Sequence, residues 1–493
     1  METRVNRAVS SASCSLTWLL IDNQKGLYKS PQGERTWTQH AIMQRGTKWR
    51  SDWKYPTFLL CTYGFFTSVK PIEPFLLPYM TGPDKNLTTE QATNEIYPVW
   101  TYSYLSVLVP VFLLTDWLRY KPVVVFQGVT VFITTALLRW TTTVPAMQVV
   151  QFFYGVVTAS EVAYFSYIYS MIDVKNYRKA TSYCRGVQLL AYTVGSVLGQ
   201  LLISFTLMSY NNILVFTMVL IGIGLFASLF LPMPEQSMFF HPKKEQQEEE
   251  EKEDVSENSK DKLSCGRVLL MLWRDFLQCY SSRRLLYWSV WWAMATCGYN
   301  QTVNYIQVLW EHQQPSQNLS IYNGGVEAVS SLLSAATAYG IGFTQVRWEL
   351  WGELALGGFS GLAAVVLFLM TFIGNIWVCY TGYAVFKCLY MLLITIAMYQ
   401  IATDLTMDRY ALVFGANTFG ALVLQTILTS VVVDQRGLGL DIISQFTIYS
   451  SYFAIIAVVF SLSGVLTLWK ARRHNREDIP PDKNQSPIQE HRL

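Results

Sequence analysis

Charge is what this chain has least of. Asp, Glu, Lys and Arg make up 14% of its 493 residues, against roughly 25% in an average soluble domain. Hydrophobic residues make up 51% and aromatic residues 15%. Such a composition excludes a string of soluble domains and points to a polytopic membrane protein. The net charge of +3 sits in loops and tails, so it makes no case for a nucleic-acid partner. The eight cysteines are scattered, with no CxxC and no Cys/His cluster at metal spacing. Neither a disulfide framework, a zinc site nor any other cofactor is expected. Cys61, Cys184, Cys297, Cys379 and Cys388 fall in or at the ends of apolar runs, where a free thiol acts as a small hydrophobe. Walker loops and GxSxG turns are also missing, so no enzyme is expected.

Long apolar runs are what the chain does have. Twelve stretches are candidates to span a membrane, at about 55–80, 98–116, 122–140, 145–171, 181–207, 212–232, 287–311, 324–345, 350–373, 376–401, 411–433 and 445–469. The expected fold is all-α, with twelve transmembrane helices in two six-helix halves, 55–232 and 287–469, matching the major facilitator architecture. Residues 1–54 form a basic N-terminal extension, whose apolar patch Leu16–Ile21 is too short for a signal peptide. Residues 233–286 form a charged linker containing Glu248–Glu251, and 470–493 a tail. Arg119, Lys121, Lys175, Arg178, Lys179, Arg283, Arg284 and Arg409 share the linker's side, which places both termini in the cytosol. The sequons at Asn86 and Asn318 then fall outside as glycosylation candidates, while that at Asn300 lies within a span. The plasma membrane is the expected location. The turn Asp116–Lys121 reads equally as a latch between helices or a plain basic anchor. No filter-like repeat or ring of charge favours a channel over a carrier.

Polar residues inside these spans are the candidate solute groups, because an ionisable side chain in a membrane needs a partner or a cavity. Glu161 lies in the run Pro145–Met171. At about 100° per residue, Gln151, Tyr154, Thr158, Glu161 and Phe165 share one quadrant, opposite Val149, Phe152, Val156 and Ala163. Lys70-Pro71-Ile72-Glu73-Pro74 should break the first span. Glu73 there could bind a cation, carry a proton or pair with Lys70. Thr296, Asn300, Asn304 and Gln307 share a face of the seventh span, which reads as a cavity wall or as interhelical hydrogen bonding. Lys387 should pair with a carboxylate or bind an anion, with Glu161 one option across helices. By pattern alone, Tyr97 and Trp100 read as an interfacial belt. A carboxylate among aromatic faces suits a small organic cation.

Collinear segments carry a resemblance: Gly82–Thr88, Pro98–Leu105, Glu161–Tyr164, Leu231–Pro234 and Ala411–Gly415. They resemble the reduced folate and thiamine carrier family, on its thiamine side, over about residues 54 to 470. The resemblance implies a plasma-membrane importer of thiamine, working by alternating access among membrane lipids. It also implies a cavity involving Glu73, Tyr97, Trp100, Thr134, Gln151, Tyr154, Tyr192 and Asn300. Folate carriers place an arginine at the position of Glu161 and a lysine at that of Gln425, so the charges here disfavour a dianion. This chain departs from the pattern at Gln151, where thiamine carriers have a glutamate, and at Thr134–Thr135, where some members have Thr–Trp. Losing a charge-assisted hydrogen bond at Gln151 would weaken thiamine binding by ~1–2 kcal/mol, about ten-fold. Another organic cation, a vitamin relative such as pyridoxine, or a receptor without transport are the alternatives.

Overall fold

The computed structural model describes residues 53–172, 174–234, 274, 276–316, 321–341, 348–403 and 407–477. The N-terminal extension, most of the linker and Asn318 lie outside the described residues. All regular secondary structure among the described residues is helical. The first half contains α1 (Lys54–Ser68), α2 (Leu76–Thr81), α3 (Tyr97–Trp117), α4 (Lys121–Trp140), α5 (Val144–Met171), α6 (Val174–Ser204) and α7 (Tyr210–Leu229). The second contains α8 (Arg283–Gln313), α9 (Asn323–Ile341), α10 (Trp348–Phe372), α11 (Ile376–Thr403), α12 (Met407–Leu428) and α13 (Ile442–Glu477).

Local chemistry sets the boundaries. Helices α3, α4 and α5 each have proline in the first turn, where its missing N–H costs nothing. Ser209 and Ser282 cap α7 and α8 through their hydroxyls. The expected break in the first span is present. Helix α1 stops at Ser68, and a single 3-10 turn, Glu73–Phe75, leads into α2. Helix α6 makes room for this break, since a Cβ at Gly199 would collide with the carbonyl of Pro71.

Among the described residues, eight helices are long and apolar enough to cross a membrane: α3, α4, α6, α7, α10, α11, α12 and α13. Their outward faces carry exposed Phe126, Val219, Val365 and Leu462, as lipid contact requires and water does not favour. The other members of the expected twelve are the broken α1–α2 and helices α5, α8 and α9. These shorter or more polar helices supply most of the groups at the candidate site.

The halves meet where α6 packs on α9 and α3 on α12. Among the described residues, several hydrogen bonds joining them lie at the end opposite the linker. Tyr102 donates to Asp434 at 2.6 Å, Asn94 to the carbonyl of Gly439 at 3.2 Å, and Gln200 to the carbonyl of Ile321 at 2.9 Å. The largest core cluster also crosses there, joining Leu77, Ile96 and Met147 to Tyr305 and Leu309. At the linker end the first half keeps its own cluster around Tyr63, Tyr164 and Tyr167. There, Tyr120 donates to Asp116 at 2.6 Å and Lys121 to the carbonyl of Leu229 at 3.1 Å. The Asp116–Lys121 turn thus ties α3, α4 and α7 of one half together.

Candidate functional site

The break in the first span builds the centre of the site. Glu73 opens the 3-10 turn, and its Oε1 accepts a 2.7 Å hydrogen bond from the Tyr154 hydroxyl on α5. Lys70 sits on the other side of that ring, with Nζ 3.5 Å from the hydroxyl and 5.0 Å from the ring centroid. Lys70 and Glu73 therefore share a phenol instead of forming the direct pair open from the sequence. Backbone groups freed by the prolines are taken up by the other half. Gln307 of α8 donates to the Glu73 carbonyl at 2.9 Å and accepts from the Leu77 N–H at 3.3 Å. Asn323 of α9 donates to the Pro74 carbonyl at 3.3 Å.

Thr158 accepts from the Trp100 indole N–H at 3.1 Å, so Trp100 is fixed edge-on to α5. Tyr104 lies beside it, with ring centroids 5.9 Å apart. Gln151 is buried and Glu161 is exposed. The Glu161 carboxylate accepts from Gln188 of α6 at 3.3 Å. On the opposite face Val149 and Phe152 are exposed. Ala163 is instead packed in the first-half cluster.

Lys387 corrects one expectation. Its partner is not Glu161 but Glu327 of α9, at 2.9 Å, and both side chains are buried. Glu327 also accepts from Tyr383 at 2.8 Å and, across the two halves, from Tyr192 at 2.9 Å. Glu327 and Asn323 are not among the site residues expected from the sequence. A signal was there, because Asn323, Glu327, Ser330, Ser331 and Ser334 recur at helical spacing.

The remaining expected residues fall less centrally. Tyr97 meets Tyr305 of the other half with centroids 6.1 Å apart. Asn300 donates to Gln425 at 3.1 Å, so this part of the seventh-span stripe bridges α8 to α12. The neighbouring Nε2 of Gln425 is buried with no hydrogen-bond partner. Thr134 is buried and bonds the carbonyl of Thr130 on its own helix at 2.7 Å. Among the described residues, no hydrogen bond brings Thr134 to the Glu73 cluster. Asn86 is exposed in a left-handed conformation at φ 53° on the loop after α2. Lys85 beside it is held by the carbonyls of Arg139 and Thr141.

The arrangement is a carboxylate at a broken helix, flanked by aromatic rings and walled by both halves. It can neutralise a cation, offer stacking faces and change shape as the halves move. The family model described as reduced folate carrier matches residues 51–448. Human thiamine transporter 1 is 51% identical over 457 residues, covering 86% of this chain and 92% of the relative. Human thiamine transporter 2 is 48% identical over 473 residues, covering 89% and 95%. The human reduced folate transporter is 38% identical over 444 residues, covering 87% and 75%. Among solved structures, nucleoside transporter NupG superposes with a TM-score of 0.58 at 14% identity, over 83% of this chain and 99% of that one. A proton-dependent oligopeptide transporter superposes with a TM-score of 0.54 at 13% identity, over 86% and 100%.

Proposed function

This chain belongs to the reduced folate carrier family, and from that premise we propose that it imports thiamine across the plasma membrane by alternating access. The observation that carries the reading is the identity of about half its residues, 51%, to a thiamine transporter over 86% of its length. The site's chemistry supports it. Thiamine carries a permanent positive charge on a flat ring, joined to a flat aminopyrimidine. Glu73 supplies the opposing charge. Trp100 and Tyr97 supply stacking faces, and cation–π contact contributes roughly 0.5–2 kcal/mol per site. Tyr154 holds Glu73 in place. Gln151, Tyr192, Asn300 and Thr134 complete the proposed lining, with Glu161 on the path toward the linker. Recognition without catalysis is the whole task.

The proposed topology has twelve crossings, halves at 55–232 and 287–469, and the extension, linker and tail in the cytosol. Asn86 and Asn318 then face outward as glycosylation sites. With the linker inside, the end tied by Tyr102 and Asp434 is the closed outer gate.

Labelled thiamine uptake into cells expressing the chain tests the function. Saturable uptake above background is expected, and Gln151→Glu should tighten the apparent affinity about ten-fold. Absence of uptake by a chain shown to reach the surface would remove thiamine as the substrate. The neutral, buried Gln151 favours a second reading, a site open to other flat organic cations. Competition of such cations against thiamine at similar concentrations would support it.

A further inference from the structure

Tyr192 reaches across from one half to a carboxylate that its own half does not neutralise. The charges around that carboxylate are divided unequally. Glu327 and Lys387 stand on α9 and α11 of the same half, 2.9 Å apart. Ser331, also on α9, accepts from Lys387 at 3.3 Å, and Tyr383 of α11 donates to Glu327 at 2.8 Å. Among the described residues, only the Tyr192 hydroxyl joins Glu327 from the other half, at 2.9 Å. Helix α9 also holds the broken segment, through Asn323 and the Pro74 carbonyl one turn away.

This division has a mechanical meaning. If the carboxylate and ammonium stood on opposite halves, parting the halves would strand two buried charges, a heavy penalty. Here both charges move together. Separation breaks a neutral phenol's bond to a carboxylate that stays paired.

We propose that Glu327 is a positioning residue. Paired with Lys387, it holds Tyr192 against the opposite half while the outer end is closed, and it releases Tyr192 with the ion pair intact when that end opens. The placement of Tyr192 in the solute site rests on the thiamine-carrier reading, but the clasp itself does not.

The test uses the full chain purified in detergent and a reporter that needs no substrate. Ser196 is buried on α6, and its backbone carbonyl abuts Gly324 of α9. The rate at which a maleimide modifies Ser196→Cys, corrected for the parent cysteines, therefore reads opening between α6 and α9. Tyr192→Phe keeps the ring and removes the bond. It should speed modification about ten-fold or more, the size expected for a hydrogen bond to a charged group. Glu327→Gln alone should fold poorly, because it leaves Lys387 uncompensated. Glu327→Leu with Lys387→Leu removes both charges and keeps apolar packing, a replacement buried ion pairs often tolerate. It should fold, show the same fast modification as Tyr192→Phe, and make Tyr192→Phe silent when added.

A rate unchanged within about two-fold in Tyr192→Phe would overturn the clasp. A full additional effect of Tyr192→Phe on the double-leucine background would overturn the role of Glu327. Labelled thiamine binding to the same preparations reports separately. If the wild-type chain binds no thiamine while the modification rates behave as stated, the substrate reading fails and the clasp stands.

Discussion

Glu73 receives its side-chain hydrogen bond from one phenol, and that makes its environment easy to test. Tyr154→Phe leaves the ring beside Lys70 and removes the hydroxyl, both the 2.7 Å donor to Glu73 and the 3.5 Å acceptor for Lys70. A hydrogen bond to a charged group contributes about 1.5–3 kcal/mol. If part of this positions the carboxylate for a cation, the apparent KM for thiamine should rise about three- to ten-fold in Tyr154→Phe, with surface amount unchanged. Glu73→Gln removes the charge itself and should reduce uptake at low substrate more than ten-fold. Equal uptake by wild type and Glu73→Gln would move the cation site elsewhere. Trp100 offers a finer probe. Thr158→Val deletes the acceptor of its indole N–H, so the ring loses its fixed angle but not its area. Thr158→Val should therefore raise KM less than Trp100→Ala does in the same uptake assay.

Within the broken first pass, backbone groups must be satisfied by something other than the helix, since lipid offers them no partner. Gln307 does this twice, for the carbonyl of Glu73 and the N–H of Leu77. Gln307→Leu keeps similar bulk and strands both groups. An unmet buried polar group costs about 1–3 kcal/mol, so the variant should unfold at a clearly lower temperature in detergent, read by loss of the monodisperse chromatographic peak on heating. How much of this element could be read beforehand follows from its chemistry. Pro71 and Pro74 announce the break, because each removes a donor from its own helix. The α5 stripe is readable because helical spacing is a local property. The partners of Lys387 and of the freed carbonyls are not readable, because they depend on which helices become neighbours. Spacing alone likewise assigns Tyr97 and Trp100 to a belt. For Trp100, contact with Thr158 supplies what periodicity lacked. Asn300 shows the converse, since its stripe is real but its amide joins Gln425.

Across the whole molecule, the ties between halves gather at one end. Tyr102 and Asp434 make the shortest of them, at 2.6 Å. Tyr102→Phe should shift the population toward an outer-open form by about ten-fold. Spin labels at exposed Phe205 and Trp377, in a chain cleared of other labelled cysteines, should then show a new longer distance. An unchanged distribution would mean that the apolar packing around Tyr305 and Leu309 holds the end shut alone. The helices least suited to lipid also have a history during synthesis. Glu327 leaves the ribosome 60 residues before Lys387. At 5–20 residues per second that is about 3–12 s, during which a segment carrying a carboxylate has no ammonium to join. Helix α8, polar as well, immediately precedes it. A charge without a partner in a membrane is costly, so α9 is expected to settle only after α11 has supplied Lys387. On that expectation, α9 and α11 take their places together, after the intervening helix α10 has been made.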